Sequence, residues 1–116
     1  MKSENIGFKN ELSFVRALLT GVAESSQVYP RVTAEMLTSR ELALIYKGII
    51  ELFNKGKAMD YTLVEHEMRA LDHDLYAEMN GLNYVGDGLL SVVDDVHVTT
   101  YADRIVTGKQ IGRAHV

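Results

Sequence analysis

The sequence has no cysteine, no tryptophan and a single proline among its 116 residues. Without thiols there is no disulfide, no thiolate metal site and no cysteine nucleophile, and a reducing compartment is compatible with the chain. Long apolar runs are missing too. None approaches the roughly 18 residues that crossing a bilayer requires, and the opening Met1-Lys2-Ser3-Glu4-Asn5 lacks the apolar centre of a signal peptide. The expected location is therefore the cytoplasm, with no membrane contact. No segment alternates apolar and polar residues with period two, which argues against strands.

Positive charge is scarce in one region. Residues 60–103 carry ten acidic side chains and one basic one, Arg69, whereas residues 1–59 carry eight basic and six acidic. A phosphate backbone is bound mainly through Lys and Arg, so strong direct binding of DNA by this chain is not expected. The acidic middle is either a solvated face or a patch that suits a basic protein partner.

What is abundant is helical periodicity. Between Ser39 and Gly56, apolar residues fall at Leu42, Ile45, Tyr46, Ile49, Leu52 and Phe53, the spacing of one helix face. Ser39 stands where an N-cap belongs, and Gly56 follows Lys55 as a left-handed stop. With Ala43, Leu44 and Ile50 widening the apolar face, this helix is expected at the centre of the fold. Ahead of it, a polar arm over residues 1–9 leads to a first helix from about Glu11 to Val22, with Glu11 suiting the dipole of that helix. A turn follows over Gln27–Tyr29, and then a short helix, Ala34 to Leu37, capped by Thr33. Beyond Gly56, Thr62-Leu63-Val64-Glu65 fits a capping box, with Asp60 as a competing cap. That helix should run to about Leu71 with Leu63, Val64, Glu67, Met68 and Leu71 on or near the inner side, and a short one follows from Leu75 to Asn80. Two further segments, from Leu82 to Val93 and from about Val96 onward, read as a helical hairpin. The fold class is all-α: a multi-helix bundle over about residues 10–80 followed by a hairpin over about 82–107, with 107–116 a linker start or an artificial end.

Catalytic constellations are not found. Gly108-Lys109 fails as a phosphate loop, because Asp103 stands where its first glycine belongs and Gln110 where its hydroxyl belongs. His66-Glu67 fails as a zinc motif because position 70 is Ala. His66, Asp72, His73 and Asp74 could collect a metal ion, but they read more simply as solvated residues at a helix end. No catalytic, cofactor-binding or metal-binding residue is assigned.

The order of these elements resembles the N-terminal domain of DnaB-type replicative DNA helicases, over about residues 10–106. Glu11-Leu12-Ser13-Phe14-Val15-Arg16-Ala17-Leu18-Leu19 is similar to the family's opening helix. Val32-Thr33-Ala34-Glu35-Met36-Leu37 with Ile45-Tyr46-Lys47-Gly48-Ile49-Ile50-Glu51-Leu52 resembles its short and central helices. Gly56-Lys57-Ala58-Met59-Asp60-Tyr61-Thr62-Leu63-Val64 looks like its link into a capped helix. Gly81-Leu82-Asn83-Tyr84-Val85 and Tyr101-Ala102-Asp103-Arg104-Ile105-Val106 resemble the lead-in and the return of its hairpin. The chain departs from the family at Arg16 or Ala17, where Gly is usual, at Ala34, where Pro is usual, and at Gly86 and Gly88, in a segment usually rich in Ala or Leu. These departures mark a divergent member.

The resemblance implies a non-catalytic module. Such domains pair through their hairpins, build a collar on a hexameric ring, and dock primase and in some systems a helicase loader. It also implies an ATP- and magnesium-dependent motor further along the parent chain, with no cofactor in this part. Tyr84, Leu89, Leu90, Val93, Tyr101 and Ile105 are the expected oligomer interface, with packing inside the hairpin as the alternative for each. Two other readings stay open at this level. One is the helicase-binding domain of a primase, against which the position of Met1 argues. The other is a small enzyme with a pocket among His66, His73 and the acidic middle.

Overall fold

The computed structural model describes residues 2–19, 25–85 and 98–115, with side chains over 10–19, 27–85 and 99–107. The described residues form six α-helices: α1 (Lys2–Leu19), α2 (Ser25–Val28), α3 (Arg40–Asn54), α4 (Tyr61–Leu71), α5 (His73–Met79) and α6 (Val98–His115). Single 3-10 turns occupy Ala34–Met36 and Gly81–Val85, and among the described residues there is no strand. The fold is all-α, as the periodicity predicts.

The central helix is the one expected. Leu42, Leu44, Ile45, Tyr46, Gly48, Ile49 and Leu52 of α3 are all buried, and α1, α4, α5 and the 34–36 turn pack around them. Ser39 Oγ accepts from Leu42 N at 3.2 Å and caps the first turn. At the other end Gly56 adopts φ 70°. Its N–H bonds Phe53 O, and the N–H of Lys57 bonds Leu52 O, both at 3.0 Å. These two bonds satisfy carbonyls that the helix leaves orphaned, in the pattern of a Schellman stop. Gly48 faces α4. A Cβ there would lie 3.2 Å from both Met68 Cγ and the Val64 carbonyl oxygen, so the missing side chain sets how closely the two helices approach.

Burial of Tyr46 organises the other side of α3. Its ring is 0% exposed, lies 5.4 Å from the Phe14 ring of α1, and its hydroxyl donates to Val32 O at 2.6 Å. One side chain thus fastens α1, α3 and the corner after Pro30. Burial, with Tyr29 nearby, pushes the Tyr46 phenol above its ordinary pKa of 10.0.

Glu11 differs most from expectation. It is not in the first turn of its helix, because α1 begins at Lys2, and residues 2–9 extend the helix rather than forming a loose arm. Glu11 is 4% exposed and serves α3 instead. Its carboxylate accepts from Thr38 N at 2.9 and 3.0 Å, from Thr38 Oγ1 at 2.8 Å and from Ser39 N at 3.3 Å. A buried carboxylate is tolerated only when its oxygens are satisfied, and these donors, at the positive end of α3, satisfy them.

Other boundaries shift for local reasons. Asp60 wins the competition to cap α4, its Oδ1 accepting from Thr62 N at 2.8 Å and Leu63 N at 3.2 Å. A carboxylate is the stronger partner for a helix N-terminus than a hydroxyl, so the capping box at Thr62 does not form. Glu65 is free to leave the helix, and its Oε2 accepts from Leu82 N at 3.0 Å. Thr33 offers no side-chain cap to the 34–36 turn. Two apolar residues expected inward are exposed: Phe53 (46%), at the end of α3, and Leu71 (45%), the last residue of α4. Each lies in a final turn, and the Phe53 ring meets the Tyr29 ring, 4.6 Å away.

Two outcomes test this core. Glu11→Ala, which strands the donors of residues 38 and 39, lowers the unfolding free energy in urea titration by about 2–3 kcal/mol. Tyr46→Phe costs about 1 kcal/mol at neutral pH through the lost bond to Val32 and changes the alkaline limb. The folded phenol holds its proton above pH 10 while the unfolded one releases it, so stability falls as pH rises beyond 10. Lys55, raised by its hydrogen bond to Glu67, loses stability in the same direction. The variant therefore keeps the lysine part of the decline and loses the tyrosine part.

Candidate functional site: the seam between head and return helix

The segment with most functional promise is where the 81–85 turn and α6 meet the helical head. Asn80 closes α5 with φ 61° and ψ 42°. Gly81 follows, also left-handed at φ 61°. A Cβ on Gly81 would stand 2.5 Å from Glu65 Oε2, so this turn and the Glu65–Leu82 bond require glycine on both counts. Leu82 and Val85 are then buried, while Tyr84 is half-buried, its hydroxyl 3.5 Å from Ser39 Oγ. Arg16 of α1 donates from Nη2 to Val85 O at 2.7 Å. The guanidinium there ties α1 to the end of the turn.

On the return helix, Tyr101 is 4% exposed, Ala102 0% and Ile105 7%. All three belong to the chain's own core, and α6 lies against α1, α2 and the 34–36 turn. Arg104 rests over the Tyr101 ring, 5.7 Å from its centroid, and Arg31 pairs with Asp103. Of the expected interface residues, Tyr101 and Ile105 therefore pack inside the chain rather than facing outward, because α6 folds back onto α1. Tyr84 keeps part of its surface. Leu89, Leu90 and Val93, with Gly86 and Gly88, lie outside the described residues, as does most of the hairpin's first arm.

The acidic middle resolves into individual tasks. Asp60 and Asp72 are N-caps, the latter accepting from Leu75 N at 3.1 Å. Glu67, 6% exposed, accepts from Lys55 Nζ at 2.7 Å. Arg40 Nη2 meets Glu78 Oε1 at 2.8 Å, Glu65 bonds Leu82 N, and Asp103 holds Arg31. Of the described acids in 60–103, Asp74 alone has only a loose neighbour, His73 Nδ1 at 3.8 Å. Asp87, Asp94 and Asp95 lie outside the described residues. His66, Asp72, His73 and Asp74 are all exposed, and among the described residues no three His, Asp or Glu side chains are placed to hold a metal ion. No described helix is long and apolar enough to cross a membrane.

In a comparison with protein-family models, residues 4–107 match the model described as the DnaB-like helicase N terminal domain. The chain belongs to that family. Comparison with curated proteins finds no match, and comparison with solved structures finds none either. The DnaB-like family places this chain in the N-terminal domain of a replicative helicase.

Sequence reasoning missed Glu11 as a cross-helix cap and Arg16 as a seam residue. Glu11 did carry a signal, since it shares the helical face of Val15 and Leu18, where a charge is out of place unless paired. Arg16 carried none. Arg16→Ala removes a charged donor from the Val85 carbonyl. It lowers stability by about 1–2 kcal/mol and speeds amide hydrogen exchange over residues 82–85 more than over α3.

Proposed function

We propose that this chain is the collar module of a DnaB-type replicative helicase, an assembly and docking domain that performs no chemistry. The observation that carries the reading is the family match across residues 4–107. The seam supports it. Buried Tyr101 and Ile105 and the Arg31–Asp103 pair set the return helix against the rest of the chain, and the Arg16–Val85 bond ties the 81–85 turn to α1, which suits a rigid support for a pairing surface. On this reading copies of the chain pair through the hairpin, with Tyr84, Leu89, Leu90 and Val93 in contact and Tyr101 and Ile105 backing them from the core. Three pairs then form a collar on a hexamer. Primase, and in some systems a loader, docks on the outer surface, while ATP and magnesium serve a motor elsewhere in the parent protein. The shortage of basic residues in 60–103 suits a domain that meets proteins rather than DNA.

Light scattering of the purified chain, followed with concentration, tests the pairing. Dimers or larger species are expected. The double variant Leu90→Asp/Val93→Asp is expected to be monomeric with an unchanged far-ultraviolet dichroism spectrum. A chain that stays monomeric at every concentration, or a double variant that associates as before, overturns hairpin-mediated assembly. Binding of primase from the same cell to the immobilised chain is the parallel test of docking.

A further inference from the structure

Asn80-Gly81 is the one Asn-Gly pair in the sequence; Asn5, Asn10, Asn54 and Asn83 precede Ile, Glu, Lys and Tyr. Asparagine before glycine is the pair most open to self-modification, because no side chain hinders attack by the next backbone nitrogen. That nitrogen gives its proton to solvent base and bonds to the asparagine Cγ. The Cγ–Nδ2 bond breaks, ammonia leaves, and a succinimide remains. Water then opens the ring at either carbonyl, yielding aspartate or isoaspartate.

The surroundings of this pair are unusual in three respects. Asn80 is exposed and is the non-glycine residue with positive φ among those described. At ψ 42° the Gly81 nitrogen lies on the far side of the Cα–C bond from the Asn80 Cβ, whereas the succinimide ring requires them on the same side. The backbone is held there by bonds on either side: Asn80 N to Ala77 O at 3.2 Å, Asn83 N to Asn80 O at 3.2 Å, and Leu82 N to Glu65 Oε2 at 3.0 Å. Finally, the Glu65 carboxylate sits against Gly81, within 2.5 Å of where a Cβ would be. A negative charge so close opposes the nitrogen anion that must form for attack.

We infer that Asn80 is a guarded deamidation site: the native turn withholds the reactive geometry, and Glu65 both anchors the turn and disfavours the attacking anion. Modification then proceeds through local opening of the α5–turn junction. Aspartate at position 80 keeps a left-handed residue but adds a negative charge at the C-terminal end of α5, where the dipole opposes it. Isoaspartate lengthens the backbone by one bond and disrupts the bonds of Leu82 and Asn83. Either product weakens the junction from which the 81–85 turn runs, so the site links chemical ageing of the chain to loosening of its seam. This inference does not depend on the helicase reading.

The test is peptide mapping of the whole chain during incubation in mildly alkaline buffer. The readouts are the amide-to-acid mass gain and isoaspartate at residue 80. The mass gain separates Asn80 from Asp87-Gly88, which can isomerise only without a change of mass. The native chain is expected to react at least about tenfold more slowly than the same chain in urea, the ratio given by an opening cost of about 1.4 kcal/mol. Glu65→Ala, which removes anchor and charge, speeds the native reaction. Glu65→Gln, which keeps an acceptor for Leu82 N, gives a smaller acceleration. Dichroism of both variants confirms that they are folded. Equal rates in buffer and urea overturn the geometric guard, and a folded Glu65→Ala chain that reacts at the parent rate overturns the role of Glu65.

Discussion

A single buried carboxylate, Glu11, ties α1 to the start of α3. Glu11 lies in the middle of its own helix and crosses to the N-terminus of α3, where it accepts from the backbone of residues 38 and 39 and from the Thr38 hydroxyl. Much follows from that contact. It sets where α3 begins relative to α1, so that Phe14 meets Tyr46 further along the same pair of helices. Tyr46 in turn reaches Val32 and fixes the corner after Pro30. The network extends outward through Ser39, whose hydroxyl serves Leu42 N, approaches Glu41 Oε1 at 3.1 Å and lies near Tyr84. A cap, a core ring and a seam residue are thus joined through one buried acid.

The uneven charge along the chain has a structural meaning. Basic residues of the first half clasp acidic residues of the second: Arg31 to Asp103, Arg40 to Glu78 and Lys55 to Glu67. The first two pairs are exposed and contribute little stability in water. They act more on specificity, since like charges at those places would oppose the docking of α5 and α6. The third pair involves a buried glutamate, and its lysine is required, because an unpaired carboxylate in that position would be costly. Most of what looks in sequence like an acidic surface is therefore engaged in caps and cross-links.

For function, the consequence is a division of labour. The head supplies a frame, and the seam determines how the return helix is presented. Tyr101 and Ile105, buried against that frame, give α6 its orientation, while Arg16 restrains the 81–85 turn from the other side. The Asn80-Gly81 turn, with its two consecutive left-handed residues, lies at the same junction.

The sequence by itself determined the helical class, the extent of α3 and the chemistry of both its ends. These are interactions between residues at most five apart, and a local pattern carries them: Ser39 to Leu42, and Lys57 back to Leu52. It also carried the family, whose likeness rests on the order of such local signals. Tertiary structure decided the rest. With Asp60 holding the cap, Glu65 found its partner at Leu82, seventeen positions on. The inward turn of Tyr101 and Ile105 depended on α6 meeting α1. The task of Glu11 lay twenty-seven residues ahead of it. Periodicity shows that a residue faces inward, but not which element it will find there, because that partner is selected by the packing of the whole chain.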